Sequence, residues 1–433
     1  MPQTQTPSLA ALSGLFGAVG TVHAVRTSGW LPERCSMYSA ATGDLGAVRS
    51  GYVAGVPMPY GTGRAYDDPG HAKLIAVSEA MERYSALVFG QREFLSASAR
   101  ELGDDALDLD SVPRCSAREL RRPGCPLRPA DAGADIRWVP AIELGTGRDV
   151  FLPAVMVDLG CLRRASERFW LPISTGCATH VTVEAALVNA ICELIERDAI
   201  ALTWLQKLPL PLLHQSCHGA SVRDMTQWCA ERGIETYLFD ATTDIGVPTV
   251  YCVQLADAEY RAAQVVGCAT DLDVTAAAER ALLEAMGMRG HLHAEPAVPR
   301  RYRDYAAASD GATAMARRSR RRVFDFLFEG LADRAVSAAD TPAAAGSDAD
   351  RLAFLVRRLA ETNMAAYAVD ISSRELLGID HSAVRVVIPG LQPMSLRPLA
   401  QYRGHRRLYH APAQMGLRVL SESQLNPWPQ PVS

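Results

Sequence analysis

Three stretches of the chain carry acids and arginines at helical spacing. The longest is STGCATHVTVEAALVNAICELIERDAIALTWLQK, residues 174–207. Its opening Ser174-Thr175-Gly176 is small and polar, and Thr182 is placed to cap a helix starting near Val183. On that helix Asn189, Glu193, Glu196 and Arg197 fall at i, i+4, i+7 and i+8, with Leu187, Ile191, Leu194 and Ile195 opposite. One face suits a core and the other suits chemistry or water. Residues 72–84, AKLIAVSEAMERY, repeat the pattern with Glu79, Glu82 and Arg83, and AAAERALLEAMGMR from Ala276 puts Arg280 and Glu284 one turn apart. A single E-x-x-E-R reads as a solvated helix face, whereas its repetition reads as one shared site. Carboxylates packed together repel and raise each other's pKa unless cations answer them. Arginine answers part of that charge, and Mg²⁺, with oxygen ligands completed by phosphates, answers the rest. The residues therefore point to a Mg²⁺–nucleotide site without a P-loop.

The acid-bearing segments stand in a fixed order with other short motifs: Gly61-Thr62-Gly63, Ser174-Thr175-Gly176 before ELIERDA, RALLE from Arg280, VDIS from Val369, VRVVIPGLQPM from Val384, RRLY from Arg406, and Pro427-Trp428-Pro429-Gln430-Pro431. In this order the chain resembles the YcaO family over nearly its whole length. The resemblance implies a mixed α/β fold in which glutamate-bearing helices pack on β-sheets. It implies one unit over 1–433, with an N-terminal segment 1–60, an ATP-binding core 61–410 and a proline-spaced tail 411–433. It implies ATP and Mg²⁺ as cofactors, with Glu79, Glu82, Glu193, Glu196 and Glu284 touching metal and nucleotide. Arg197 and Arg280 match the phosphate-facing arginines, and Asn189 matches a polar nucleotide contact. A P-x-P-x-P ending is similar to that of the heterocyclising members, which makes Pro427, Pro429 and Pro431 candidate catalytic residues. Several positions depart from the family pattern: Thr62 replaces the usual Lys of G-K-G, Val181 an Asn, Ala185 a Glu and Gly287 a Gln. His180 could compensate as a donor to phosphate or as a base.

Composition sets the bounds. The chain has 433 residues, 48% hydrophobic and 21% charged, as expected of a folded protein with ample core. A net charge of −4 gives no general attraction to nucleic acid, and Arg317–Arg322 (RRSRRR) reads as a solvated basic face. Ten cysteines without a C-x-x-C pair disfavour a zinc ribbon or disulfide framework and fit thiols in a reducing cytoplasm. No basic residue precedes the apolar part of the N-terminus, so the layout of a signal peptide is absent. No apolar run approaches the ~20 residues of a membrane span.

The rest of the chain supplies supports. Residues 8–26 read as a buried segment entering a strand, and 51–63 as a Gly/Pro-rich turn whose glycines could approach phosphate. The 98–135 stretch reads as surface connection, 136–158 as a hairpin about Gly145-Thr146-Gly147, and 220–232 as a helix. Strands are expected from Thr236, Pro248, Ala366 and Val384, and a flexible insertion over 335–350. Asp271 and Asp273 read as helix-entry residues.

The resemblance implies an ATP-dependent enzyme that activates backbone amides of a ribosomal precursor peptide and closes azoline rings from Cys, Ser or Thr. Sulfide or amine as nucleophile would give thioamides or amidines instead, and a non-catalytic scaffold is a third reading. A separate leader-binding partner is expected, a winged-helix clamp or a ubiquitin-activating-enzyme-like domain. A flavin-dependent azoline dehydrogenase and a homodimer are further expected associations.

Overall fold

A computed structural model describes residues 22–27, 31–42, 60–89, 94–160, 163–256, 262–294, 298–334, 336–337 and 346–432. The readings made for 8–21, for 51–59 and for most of the 335–350 insertion lie outside these residues.

The described residues form three sheets, two of which pack on one long helix. The first is antiparallel, in the order β1 (Val22–Thr27), β2 (Cys35–Thr42), β3 (Tyr60–Tyr66), and leads into α1 (Pro69–Val88). A six-stranded sheet holds β4 (Leu95–Ala97), β5 (Ile136–Glu143), β11 (Tyr367–Asp370), β12 (Ser382–Val387) and β7 (Cys177–His180) in that order, with β6 (Asp149–Pro153) hairpinned on β5. The third is a meander, β8 (Ile234–Asp240), β9 (Thr249–Ala256), β10 (Gln264–Thr270), feeding α4 (Val274–Ala294). Between them run α2 (Val183–Gln206) and α3 (Ala220–Ala230), and later α5 (Asp348–Glu361) and α6 (Arg407–Gln414). The mixed fold, the 136–153 hairpin, the helix from 220 and the β11–β12 pair match the expectations. The end of the expected insertion does not: Ser347 opens α5 with a capping box, its hydroxyl accepting from the Asp350 N–H.

Local chemistry starts and stops the acid-bearing helices. Asp68 accepts the His71 N–H, with Pro69 in the first turn of α1. Thr182 accepts the Ala185 N–H, and α2 ends at Lys207 in the left-handed region (φ 51°) ahead of Leu208-Pro209. The expected division of α2 into a core face and a water face holds only in its first half, where Val183, Glu184 and Asn189 are exposed. From Asp198 to Gln206 every residue is buried, as in a helix covered on all sides. Its first half packs on β7, β12 and Leu355 and Leu359 of α5. Its second half packs on the meander, on Leu408 and Ala411 of α6, and on Leu425 and Val432 near the C-terminus.

The Gly61–Gly63 segment is a strand and not a turn. A Cβ on Gly61 would lie 2.1 Å from the Ala76 carbonyl oxygen, and one on Gly63 1.9 Å from that of Ala72, so the glycines let β3 lie directly on the α1 backbone. Gly267 of β10 does the same on α4, where a Cβ would lie 2.2 Å from the Ala281 carbonyl oxygen. The β1–β2–β3–α1 and β8–β9–β10–α4 units are thus built alike. Ala76 corresponds to Ala281 and Glu79 to Glu284, each glutamate three residues after its alanine.

Candidate functional site

Each of four glutamates reaches from its helix to a backbone N–H at the end strand of a sheet. Glu79 Oε2 accepts from Thr62 of β3 at 2.5 Å. Glu193 Oε2 accepts from Gly176, just ahead of β7, at 2.9 Å. Glu284 Oε2 accepts from Cys268 at 2.8 Å and Glu196 Oε2 from Thr270 at 3.2 Å, both on β10. These N–H groups belong to strands that end their sheets or lead into such a strand, and the carboxylates satisfy them. Gly176 sits at φ 89°, where a Cβ would lie 2.6 Å from the Val386 carbonyl oxygen, which explains the glycine of Ser174-Thr175-Gly176.

The opposite oxygens of Glu79, Glu193 and Glu196 face arginine. Arg83 pairs with Glu79 Oε1 at 2.5 Å, while Arg197 Nη2 lies 3.7 Å from Glu193 Oε1 and 3.8 Å from Glu196 Oε1. At the Arg197 separations there is attraction without a hydrogen bond, and Arg197 Nη1 is buried without a partner among the described residues. Arg280 donates to Asp271 at 3.1 Å.

The five carboxylates form one electrostatic unit. Burial, then the charges of Glu193 and Glu79, push Glu82 well above the usual carboxylate range against the pull of Arg83 and Arg385. Burial pushes Glu196 up to about 7, with Arg197 opposing and Glu284 adding to the shift. The structure therefore brings Glu79, Glu82, Glu193, Glu196 and Glu284 together with Arg197 and Arg280, and leaves a protonation cost that a cation would remove. Among the described residues no three Asp, Glu, His or Cys side chains are arranged to hold a metal by themselves. That donor set fits Mg²⁺, which keeps waters and completes its shell with substrate phosphates, better than an ion needing an all-protein cage. Asn189 is exposed on the first half of α2. His180 is half-buried with Nδ1 unpartnered, and burial lowers its pKa, so it is neutral at pH 7.

The C-terminal prolines are placed elsewhere. The Asn426 N–H donates to the Leu205 carbonyl at 2.9 Å and Trp204 Nε1 to the Trp428 carbonyl at 3.0 Å. This docks the segment on the last turns of α2, about 12 Å along the helix from Glu196. Pro427 is exposed, Pro429 and Pro431 are buried, and Val432 is 1% exposed. The basic run is partly spent here, since the Arg320 guanidinium lies 4.0 Å from the Trp428 ring centroid and Arg321 donates to the Ala256 and Ala263 carbonyls.

Two buried arginines were not singled out from the sequence. Arg385 on β12 donates to the Met156, Ile173 and Thr175 carbonyls at 3.1, 2.8 and 2.6 Å and so moulds the loop that presents Gly176 to Glu193. Arg407 pairs with Asp198 at 2.8 Å and Asp244 at 2.7 Å, while Asp198 also accepts the Gln392 N–H at 2.7 Å. The available signal was a lone cation inside the apolar run VRVVIPG and an acid directly after Glu196-Arg197. Asp271 serves as counter-ion to Arg280 and, at 3.8 Å, to Arg351, whereas Asp273 accepts the Thr275 N–H at the start of α4, as expected of a helix-entry residue.

Comparison with known proteins gives the family of the chain. The chain is 32% identical over 193 residues, 42% of its own length and 43% of the other's, to an uncharacterized protein in the tfuA 3′ region of Rhizobium leguminosarum bv. trifolii. Its fold is similar to a heterocyclase solved in complex with substrate and cofactor, with a TM-score of 0.80 at 22% identity over 98% of this chain and 57% of that one. It is also similar to a chain of the E. coli microcin synthetase McbBCD complex with pro-MccB17 bound, with a TM-score of 0.63 at 14% identity over 94% and 96% of the two chains. The chain thus spans less than two thirds of the first two relatives. The family model described as YcaO cyclodehydratase, ATP- and Mg²⁺-binding, matches residues 61–392, well over half of the sequence, and the chain belongs to the YcaO family.

Proposed function

We propose that the chain is an ATP- and Mg²⁺-dependent cyclodehydratase that installs thiazoline or oxazoline rings in a ribosomally made precursor peptide. The observation that carries this reading is the carboxylate unit itself: five glutamates from three helices, two of them held above their usual pKa range, beside Arg197 and Arg280. In this reading Glu79, Glu82, Glu193, Glu196 and Glu284 hold metal and nucleotide, Asn189 contacts the nucleotide, and Arg197 and Arg280 face the phosphates. Bound Mg²⁺ would neutralise the carboxylates and the charge on the transferring phosphoryl group. The side chain of a Cys, Ser or Thr following the amide gives up its thiol or hydroxyl proton to solvent and adds to the amide carbonyl carbon, proximity favouring the ring. The resulting oxyanion takes the γ-phosphoryl of ATP, releasing ADP, and loss of phosphate together with the amide proton leaves the azoline. Arg197, with one nitrogen unpartnered, is suited to the departing charge.

A leader-binding partner, either a winged-helix clamp or a ubiquitin-activating-enzyme-like domain, would hold the precursor and raise its effective concentration. The peptide-bound McbBCD assembly supports a multi-protein setting of this kind. A flavin-dependent azoline dehydrogenase would act on the product, and a homodimer remains part of the reading. The test is reconstitution with a candidate precursor and partner, followed by mass spectrometry. Loss of one water per ring is expected, while exchange of oxygen for sulfur would assign the thioamide chemistry instead.

A further inference from the structure

Alternate residues of β3 face opposite ways, and Gly61, Gly63 and Ala65 are buried on the α1 side. Thr62, Arg64 and Tyr66 point the other way, and there Arg64 meets α4. A Cβ on Gly287 would lie 2.4 Å from Arg64 Nε, 3.0 Å from its Cδ and 3.2 Å from Met37 Sδ, so the Arg64 side chain occupies the place a side chain at 287 would take. Gly287 belongs to the stripe of α4 that carries Arg280 and Glu284, at i, i+4 and i+7. Arg64 is half-buried, its Nε has no hydrogen-bond partner, and no ion pair to it occurs among the described residues. The acid of that stripe, Glu284, is turned to the Cys268 N–H.

A half-buried guanidinium without a counter-charge carries a desolvation cost that an anion would offset. We propose that Arg64 contacts the phosphate chain of the nucleotide and that Gly287 is the residue that admits it. This rests on the nucleotide-site reading given above. Two departures from the family pattern then share one cause: Thr62 stands where a lysine is usual, Arg64 supplies the cation two residues later on the same face of the strand, and Gly287 replaces a larger residue to make room.

Calorimetry with adenosine, AMP, ADP and a non-hydrolysable ATP analogue, each with Mg²⁺, tests the proposal on variants whose melting temperature matches the parent. Arg64→Ala should weaken the ATP analogue about tenfold or more, a charge-assisted hydrogen bond's worth. The loss should shrink with each phosphate removed and vanish for adenosine, and Arg64→Lys should recover part of it. Gly287→Gln, which displaces the guanidinium without removing it, should reproduce the loss, and adding Thr62→Lys should restore binding. Unchanged affinity of Arg64→Ala for the ATP analogue, or an equal loss for adenosine, would overturn the assignment. Glu196→Gln separates the two levels: if it loses the nucleotide while Arg64→Ala keeps it, only the role of Arg64 fails, and if both keep it, the nucleotide site itself is misplaced.

Discussion

Glu196 and Glu82 hold protons in the folded chain that the unfolded chain would shed. Burial holds Glu82 well above its usual range, and with Glu196 near 7 the stabilisation Glu196 gives is complete below the unfolded carboxylate pKa and is lost as pH rises through about 7. Binding of Mg²⁺ and nucleotide favours the ionised forms, so at about pH 6.5 it should release protons. The measurement is the binding heat in buffers of different ionisation enthalpy, and a heat independent of buffer would show the carboxylates already ionised. Glu193→Gln should keep the fold, because Glu193 is only partly buried, yet lower ATP turnover by about two orders of magnitude or more. Turnover near the parent level would remove the middle of α2 from the site. At this scale the glutamates were legible because repeated acid–arginine spacing has few structural explanations. Arg385, a cation in an apolar run, and Arg407, the second of an Arg-Arg pair, were not, because a buried cation declares its partners only once distant backbone carbonyls and acids are brought to it. Asp198→Asn would leave Arg407 with Asp244 alone and should cost about 3 kcal/mol or more, read as a fall in denaturant midpoint.

At the scale of elements, the cap of α2 could be read directly, since Thr182 offers an oxygen where the first turn has free N–H groups, whereas the cap of α1 by Asp68 emerges only in the structure. The strand character of Gly61-Thr62-Gly63 could not, because glycine signals both turns and close backbone approach. Only the α1 carbonyls behind it decide between them. The full burial of the second half of α2 is likewise not legible in the sequence. Its polar positions Asp198, Thr203 and Gln206 are enclosed with the meander, α6 and the C-terminal segment around them, and Gln206 donates to the Leu408 carbonyl at 3.0 Å. The close approach gives a sharp expectation. Gly63→Ala would place a methyl 1.9 Å from the Ala72 carbonyl oxygen, forcing β3 off α1 at a cost of about 1–3 kcal/mol. The same shift would pull the Thr62 N–H away from Glu79, so nucleotide affinity should fall with stability. Thermal unfolding and calorimetry on this variant check both, and a parent-like melting temperature would contradict the packing.

For the whole molecule, α2 is the member on which the six-stranded sheet, the meander, α6 and the C-terminal segment converge. The resemblance offers Pro427, Pro429 and Pro431 as candidate catalytic residues without saying what the segment packs on. The structure seats Leu425 and Val432 in the apolar cluster with Trp204, Phe239 and Leu408 and stacks Arg320 on Trp428. Prolines scan as solvated spacers in a sequence, and the groove that accepts Pro429 and Pro431 exists only after α2 and the meander have packed. Removing Pro427 to Ser433 should therefore lower stability by about 3 kcal/mol or more, through loss of the buried Trp428 contacts and Val432. The glutamates lie two turns away and are fixed by other strands, so at a temperature where the truncated chain is folded its affinity for Mg²⁺–nucleotide should stay within about threefold of the parent. Ring formation should fall much further, because the proposed role of Pro427, Pro429 and Pro431 lies in the chemical step. Differential scanning calorimetry, nucleotide titration and product mass on the one variant separate these effects. An unchanged melting temperature would mean that the segment does not pack on α2, and normal ring formation in the folded variant would confine the prolines to a structural role.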